Sequence, residues 1–204
     1  ATGSTAYDLT FGAPAQSISS IKITADNGYY LYLNGTYIGT GHNWGSVDTY
    51  SGLSTSNGTN TVAVLVINDG SPAALTGLIT LSTGEVLGTS SSWLGTLTNP
   101  TSNPVAYSSP DWTANNMAWT LAGYNDSSWI NSYTVPYNSG PWGAMINNVA
   151  AQWIWPSTTG FPSGEAAPAG WFRYTFSATT TGGTSDVTIG SGATFSNTGQ
   201  LNLN

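Results

Sequence analysis

Residues 21–39 read IKITADNGYYLYLNGTYIG, and this stretch predicts antiparallel β-sheet. Ile21 and Ile23 alternate with polar residues, which is the period-two pattern of a strand with one buried face. The sequence DNG at residues 26–28 favours a turn, and the aromatic run after it favours a second strand. The Asn-Gly pair at residues 34–35 is a strong hairpin signal, which returns the chain for a third strand.

The rest of the chain extends this pattern to a complete fold. Residues 61–67, TVAVLVI, are typical of a central strand covered on both faces. Further strands are predicted at residues 75–81, 152–155 and 171–176, and no helical apolar stripe exceeds two turns. In the last of these strands, alternate side chains should point to opposite faces of the sheet. One face would hold Phe172, Tyr174 and Phe176, and the other Trp171, Arg173 and Thr175. These strands predict an all-β, antiparallel β-sandwich.

Residues 88–150 interrupt the strands. They are rich in Trp, Pro, Asn and Ser with little periodicity, which predicts long ordered loops held in place by aromatic rings. A short helical turn is predicted near residues 125–129, where Asn125 or Asp126 would accept backbone N–H bonds. Arg173 is predicted to stack on an aromatic ring or to pair with a carboxylate.

The composition changes after Ser177. Residues 179–184, TTTGGT, are typical of a flexible linker, and the remaining residues contain two alternating strands that cannot bury a core alone. We therefore predict a sandwich domain at residues 1–177 and a separate β tail at residues 178–204. This tail either begins a repetitive β region or pairs with another surface, of this chain or of a neighbour.

The chain carries little charge. Its 204 residues contain 2 Lys and Arg against 9 Asp and Glu, which gives a net charge of −7. Two cations cannot neutralise a nucleic-acid backbone or an anionic membrane surface, so nucleic acid is excluded as a partner. No apolar run approaches the roughly 20 residues of a membrane helix, which predicts no membrane insertion. A surface rich in Ser, Thr and Asn is common in secreted proteins and predicts an extracellular or cell-surface location. Three sequons, at residues 34–36, 57–59 and 125–127, would permit glycosylation in a eukaryote.

Catalysis has little support in the sequence. A glycosidase needs two carboxylates about 5 to 9.5 Å apart across a cleft. Several of the acids lie in predicted turns or tails without a catalytic motif around them, namely Asp8, Asp48, Glu85, Glu165 and Asp186. His42 is the only histidine and the chain has no cysteine, which makes a poor transition-metal site. We predict that the protein is not an enzyme.

Residues 23–39 and the strand at 60–68 resemble the galactose-binding-like β-sandwich modules found beside secreted glycosidases. Within this class the chain resembles the L-rhamnose-binding carbohydrate-binding modules attached to α-L-rhamnosidases. The resemblance covers roughly residues 17 to 177. Besides those two stretches it includes Trp44, Tyr50 and residues 124–129, 141–143, 152–155 and 172–176. It implies a jelly-roll sandwich, galactose-binding-domain-like, with long aromatic-rich loops and a C-terminal β tail.

The same resemblance implies a calcium site. In those modules a calcium ion lies at the sandwich rim, and hydroxyls of the sugar complete its coordination shell. Asp26 and Asn27 match the Asp-Asn pair of that site, and Asn68 and Ser71 match its second half. The resemblance therefore implies Ca²⁺ as a cofactor, whereas the residue types alone favour a plain turn at residues 26–28, and the two interpretations are compatible.

Aromatic residues supply the second indication of sugar binding. Trp44 and Trp142 are flanked by glycines, so each ring could be a platform for the apolar face of a sugar or could close one end of the sandwich. Both alternatives stay open from the sequence. The complete predicted sugar-binding set is Asp26, Asn27, Tyr30, Trp44, Asn68 and Trp142.

Two functions follow from these observations. The first is a non-catalytic, lectin-like module of an adhesin or a glycan-degrading system, which binds glycan with the help of calcium. The alternative is a structural subunit of an extracellular filament or surface layer. Its subunits would self-assemble by β-strand addition through the C-terminal tail or through the N-terminal strand at residues 7–11.

Overall fold

The computed structural model describes residues 10–12, 16–106, 110–178, 182–184, 194–195 and 201–202, and it consists mainly of β-strands. Two short 3-10 helices interrupt the strands, at Pro110–Thr113 and Ala118–Thr120. The strands are β1 (Thr10–Gly12), β2 (Ile18–Asp26), β3 (Gly28–Leu33), β4 (Thr36–Gly41), β5 (Asp48–Leu53), β6 (Gly58–Ile67), β7 (Ala74–Leu81), β8 (Val86–Gly88), β9 (Leu94–Thr96), β10 (Ile130–Asn131), β11 (Tyr133–Val135), β12 (Trp153–Trp155), β13 (Ala169–Ala178), β14 (Gly182–Thr184), β15 (Thr194–Phe195) and β16 (Leu201–Asn202).

Two antiparallel sheets form the sandwich. The first sheet has the order β10-β9-β13-β6-β3-β4, and the second has the order β11-β12-β7-β2-β5, with β8 also paired to β7. Apolar side chains from both inner faces meet in one core, which includes Ile21 and Ile23 of the second sheet and Val64 and Phe172 of the first. The predicted all-β sandwich is confirmed.

The centre of the first sheet, at β3 and β6, is buried on both faces. Tyr29 and Leu31 of β3 point into the core, whereas Tyr30 and Tyr32 point to the outer face. There the aromatic-rich loop between β9 and β10 covers them with rings that include Trp112 and Trp119. This loop explains why strand β6 is apolar on both faces, as the sequence predicts.

Arg173 anchors this loop to the outer face of the first sheet. Its Nε donates to Asp126 Oδ2 at 2.8 Å and its Nη1 donates to the carbonyls of Leu121, at 3.0 Å, and Trp119. The guanidinium also lies 5.3 Å from the ring centroid of Tyr124. Both predicted roles of Arg173, stacking and pairing, are therefore present.

A second loop covers part of the outer face of the second sheet. Ile146 and Ala151 of the segment between β11 and β12 pack on Leu78 of β7. The two loops thus fold because they bury apolar side chains against the sheets, not because of local periodicity.

Two local expectations differ from the structure. Strand β5 was not predicted, because its sequence DTYSGL has few apolar residues and occupies a sheet edge. At residues 125–129 there is a hydrogen-bonded turn, closed from Trp129 N to Asp126 O at 2.9 Å, rather than a helix. The predicted N–H acceptor is present there, because Asn125 Oδ1 accepts a bond from Ser127 N at 3.2 Å.

The chain divides into two compact units. The first, Ala15–Thr179, contains both sheets of the sandwich. In the second, Ala1–Pro14 with Thr180–Asn204, strand β1 pairs with β14 and strand β15 pairs with β16. Part of the predicted linker is thus the strand β14, while the predicted strand at residues 186–190 lies outside the described residues. The predicted domain boundary at residue 177 stays a prediction.

Within the described part of the chain, no helix is long and apolar enough to cross a membrane.

Candidate functional site at one end of the sandwich

Strand pairing brings four separate segments to one end of the sandwich. Asp26 pairs with Ala74, and Gly28 pairs with Ile67, so the end of β2 lies beside the end of β6 and the start of β7. Ile67 also pairs with Ala169, which adds the residues before β13. Because β4 ends beside the start of β3, the β4–β5 loop joins the same end. We call this surface the candidate rim and define it as residues 26–27, 42–47, 68–73 and 165–168.

Asp26 is a buried carboxylate at the base of the candidate rim, with 9% of its surface exposed. Its Oδ2 accepts a hydrogen bond from Trp142 Nε1 at 2.8 Å, and it forms no ion pair with any described residue. Burial raises the pKa of Asp26, because a carboxylate loses solvation in the protein, and the bond from Trp142 partly opposes this shift.

Asn27 connects the first and third segments of the candidate rim. Its backbone N donates to Ile67 O at 3.1 Å, and its Oδ1 accepts from the backbone N of Asp69 at 2.7 Å. Direct contacts therefore hold the Asp26-Asn27 segment beside the Asn68 turn, while the role of these residues as ligands stays a prediction.

Asn68 holds the third and fourth segments together. Its buried side-chain Nδ2 lies 3.3 to 3.4 Å from the carbonyl oxygens of Ser71, Ala166 and Ala167. Its backbone N donates to Pro168 O at 2.8 Å. The Asn68 Oδ1 is buried and has no hydrogen-bond partner among the described residues.

Ser71 takes part through its backbone. Its N donates to Glu165 Oε2 at 3.2 Å, and its O accepts from Ala166 N at 3.2 Å. The residue has φ of +64°, in the left-handed region that favours glycine, so these contacts fix an unfavourable turn conformation. The predicted role of Ser71 as a calcium ligand stays a prediction.

Trp44 presents the exposed ring of the candidate rim. The side chain is 42% exposed, and its loop is attached to strand β2 through Thr24. The buried Thr24 hydroxyl lies 3.2 Å from Trp44 O and 3.5 Å from Asn43 O. Of the two alternatives left open by the sequence, exposure favours the platform for Trp44.

Trp142 and Tyr30 are placed differently. Trp142 is 4% exposed and packs between Trp153 and Phe161, with ring-centroid distances of 4.9 and 6.1 Å. Its ring closes the end of the sandwich, and its role at the candidate rim is to hold Asp26. Tyr30 is buried on the outer face of the first sheet, with its ring 6.1 Å from the His42 ring. Neither ring offers an open face for stacking in this structure.

The candidate rim is acidic. Asp26, Asp69 and Glu165 lie within it, and it contains neither Lys nor Arg. Arg173 is buried against Asp126, and Lys22 lies within strand β2. The described residues contain no cluster of three His, Cys, Asp or Glu side chains that could hold a metal, so amide and carbonyl oxygens would supply most ligands for a cation here.

Comparison with known proteins gives three similar solved structures. They are two structures of one lectin and one structure of a glycosidase. The lectin from Pleurotus ostreatus in complex with GalNAc is 24% identical, with a TM-score of 0.45, and its apo form is 24% identical, with a TM-score of 0.47. In each case the match covers 66% of this chain and 37% of the lectin.

The third structure is the α-L-rhamnosidase of Streptomyces avermitilis complexed with L-rhamnose, with 14% identity and a TM-score of 0.46. That match covers 84% of this chain and 21% of the enzyme. This chain therefore spans well under half the length of each of these proteins. No protein-family model and no curated protein matches the sequence.

The sequence analysis missed two contributions to the site. Residues 165–168 reach the candidate rim from about one hundred residues further along the chain, and no motif marks them. Thr24 was assigned only to a strand, and alternation places it on the face opposite to Ile21 and Ile23, where the β4–β5 loop covers it. Its position two residues before Asp26 was the one available signal.

Proposed function

We propose that the candidate rim binds carbohydrate and that the protein is a non-catalytic, extracellular or cell-surface module. The observation that carries this proposal is the convergence of Asp26, Asn27 and Asn68 at one end, where Thr24 also attaches the loop that carries the exposed Trp44. Sugar sites combine an aromatic face for the C–H side of the ring with amide and carboxylate groups for the hydroxyls. Such shallow sites bind weakly one at a time and gain strength by multivalency, which suits an adhesin or a glycan-degrading system.

Variants of the candidate rim test this proposal. Trp44→Ala removes the proposed platform, and we expect at least tenfold weaker binding, which corresponds to about 1.4 kcal/mol. Tyr133→Ala is the matched control, because Tyr133 is 46% exposed but lies on β11, at the opposite edge of the second sheet from β5. A glycan array would first identify a ligand. Titration calorimetry would then measure the affinity of both variants and of the parent protein for it. GalNAc and L-rhamnose, the sugars of the similar structures, belong on that array. Equal affinities for Trp44→Ala and the parent protein would contradict the proposed site.

Calcium fits the donors at the candidate rim. Asp26 is a buried carboxylate without a cationic partner among the described residues. Asn68, also in the candidate rim, has a buried Oδ1 without a hydrogen-bond partner among the same residues. Calcium accepts carboxylate, amide and carbonyl oxygens, and the mainly neutral donor set favours weak binding, on the order of 10⁻⁴ to 10⁻³ M. When bound, the ion would neutralise Asp26 and offer coordination positions to sugar hydroxyls.

The calcium proposal has its own test. Asp26→Asn keeps the size of the side chain and removes its charge, so we expect it to abolish calcium binding in titration calorimetry. Asp111→Ala is the control, because Asp111 is exposed on the first 3-10 helix, outside the candidate rim. Sugar binding that persists unchanged in EDTA would show that the site works without calcium and would leave the carbohydrate proposal standing.

The second candidate function is assembly by β-strand addition. Strand β5 is a six-residue edge strand, whereas the edge strands on the other side of the two sheets, β10 and β11, have two and three residues. A long edge strand with few charges is a template for strand pairing, and β5 contains only one charged residue, Asp48. Electron microscopy of the full chain tests this candidate: fibres that disappear when residues 178–204 are deleted would support assembly, and monomers alone would contradict it.

A further inference from the structure

Three sequons are present in the chain, and the structure distinguishes between them. N-linked glycosylation modifies the side-chain Nδ2 of the Asn in an Asn-X-Ser/Thr sequence. The relevant Nδ2 atoms belong to Asn34, Asn57 and Asn125. Because a glycan is bulky and hydrated, a folded protein can carry it only where this atom is free to face solvent.

The Asn34 side chain is already bonded inside the fold. Its Nδ2 donates to Asn60 Oδ1 at 2.7 Å, and its Oδ1 accepts from Thr61 N at 2.8 Å. Asn60 is itself completely buried. A glycan on Asn34 would have to displace this contact, and with it the network that closes the start of β6.

The Asn57 side chain is free among the described residues. It is exposed and has no hydrogen bond with any of them, and Thr59 of the same sequon is exposed as well. Gly58 between them has φ of +90°, and no atom lies within 4 Å of the position that a Cβ would occupy. The space around the sequon is therefore open.

The backbone of the Asn57 loop is nevertheless ordered. Asn60 Oδ1 accepts from Ser56 N at 2.8 Å, and Asn60 Nδ2 donates to the carbonyls of Ser56 and Gly58, both at 2.9 Å. The buried Asn60 thus accepts a hydrogen bond from the Asn34 side chain and also orders the backbone around Asn57, whose own side chain faces solvent.

Asn125 occupies an intermediate position. Its side chain is exposed, but its Oδ1 is bonded to Ser127 N, and the residue between them, Asp126, pairs with the buried Arg173. The middle of this sequon is therefore part of the anchor that holds the loop on the first sheet. The variant Asn125→Gln removes this sequon and leaves Asn34 and Asn57 unchanged.

We propose that Asn57 is an acceptor for an N-linked glycan and that the folded protein carries none on Asn34. In the transfer, Asn57 Nδ2 attacks the anomeric carbon of a lipid-diphosphate-linked oligosaccharide. The C–N bond forms, the bond from that carbon to the diphosphate oxygen breaks, Nδ2 loses one proton and the lipid diphosphate leaves.

A glycan on Asn57 would leave the candidate rim accessible. Leu53 of β5 pairs with Ile18 at the start of β2, so the loop that carries Asn57 lies at the end of the sandwich opposite to Asp26. A glycan on Asn57 is thus compatible with carbohydrate binding at the candidate rim. The glycosylation proposal does not depend on what the rim binds.

Secretion of the full-length Asn125→Gln chain from yeast or insect cells tests the proposal. The folded, monomeric fraction would be treated with peptide N-glycosidase F in H₂¹⁸O, and peptides would be mapped by mass spectrometry. We expect ¹⁸O-labelled Asp at position 57 and unmodified Asn34. A parallel sample without the glycosidase identifies spontaneous deamidation. An unlabelled Asn57, or label at Asn34 in the folded fraction, would overturn the proposal.

Two variants guard against a folding effect. Thr59→Ala removes the sequon but keeps Asn57, and we expect it to lose the label at position 57 while it is still secreted. Asn57→Gln should likewise lose the mass of the glycan, seen as the absence of a mass shift on glycosidase treatment. If either variant keeps the glycan-dependent mass shift, Asn57 is not the acceptor.

Discussion

Asp26 is the residue whose burial has the clearest consequence for stability. Its pKa is raised in the folded protein, mainly by burial, above its value in the unfolded chain. The unfolded state therefore loses its proton at a lower pH than the folded state, and the charged form costs folding free energy. This contribution to stability is most favourable below the unfolded pKa of about 3.9 and decreases as the pH rises through the folded pKa.

Asp26→Asn should accordingly stabilise the protein at neutral pH. The amide oxygen can still accept the bond from Trp142 Nε1, but no charge is buried. We expect a higher free energy of unfolding than in the parent protein at pH 7, and a difference that shrinks towards pH 3. Urea unfolding at both pH values in EDTA measures this. A destabilisation of equal size at both pH values would contradict the charge argument and indicate lost packing.

At the scale of elements, the two long loops are held on the sheets by a few specific contacts. The loop over the first sheet depends on Arg173, which is 1% exposed and meets one carboxylate and two carbonyls. Removing one partner of a buried ion pair leaves the other charge uncompensated.

Asp126→Ala therefore tests the anchor of the first loop. We expect a loss of stability on the order of 3 kcal/mol, because Arg173 stays buried without its carboxylate. Asp111→Ala, an exposed acid of the same loop, should change stability by less than about 0.5 kcal/mol. Chemical unfolding would measure the free energy of unfolding of both variants. Equal losses of stability would show that Asp126 does not anchor the loop.

The loop over the second sheet approaches β8 too closely for a side chain at Gly88. A Cβ there would lie 1.9 Å from Ala150 O and 2.2 Å from Ala150 C, both backbone atoms. We expect Gly88→Ala to displace this loop and to lower the melting temperature by several degrees. Gly123→Ala is the matched control, because no atom lies within 4 Å of its Cβ position. Differential scanning calorimetry would measure the melting temperature of both variants. An unchanged melting temperature for Gly88→Ala would show that the loop can move away at no cost.

At the scale of the whole molecule, one of the two compact units contains both sheets of the sandwich and the hydrophobic clusters that stabilise them. Both sheets lie within Ala15–Thr179, together with the cores between and outside them. The second unit contains only two short strand pairs among its described residues, and an isolated two-stranded pair is marginally stable in water.

A chain of residues 15–179 should therefore fold alone. We expect one cooperative thermal transition within a few degrees of that of the full chain, and unchanged affinity at the candidate rim. Differential scanning calorimetry and titration calorimetry would measure both. Loss of the cooperative transition would mean that the terminal segments are part of the folding unit.

Local sequence patterns were enough to predict most of the long strands and part of the candidate rim. Strand β6 was predictable because seven successive apolar or β-branched residues have few alternatives to a strand covered on both faces. The Asp26-Asn27 turn also follows from local residue types, whereas the exposure of Trp44 was left open by the sequence. The separation of Phe172 from Arg173 onto opposite faces follows from the two-residue period of a strand.

The contacts between residues far apart in the chain could be seen only in the folded protein. The Asp26 carboxylate bonds to Trp142, 116 residues away, and Asn68 Nδ2 reaches the carbonyl of Ala167, 99 residues away. No local pattern encodes these contacts, because the aromatic loops have no period and take their conformation from the sheet faces that they cover. The same cause turned Trp142 from a possible sugar platform into a support for Asp26: the free energy of burying an indole ring against Trp153 and Phe161 depends on neighbours that only the folded chain supplies.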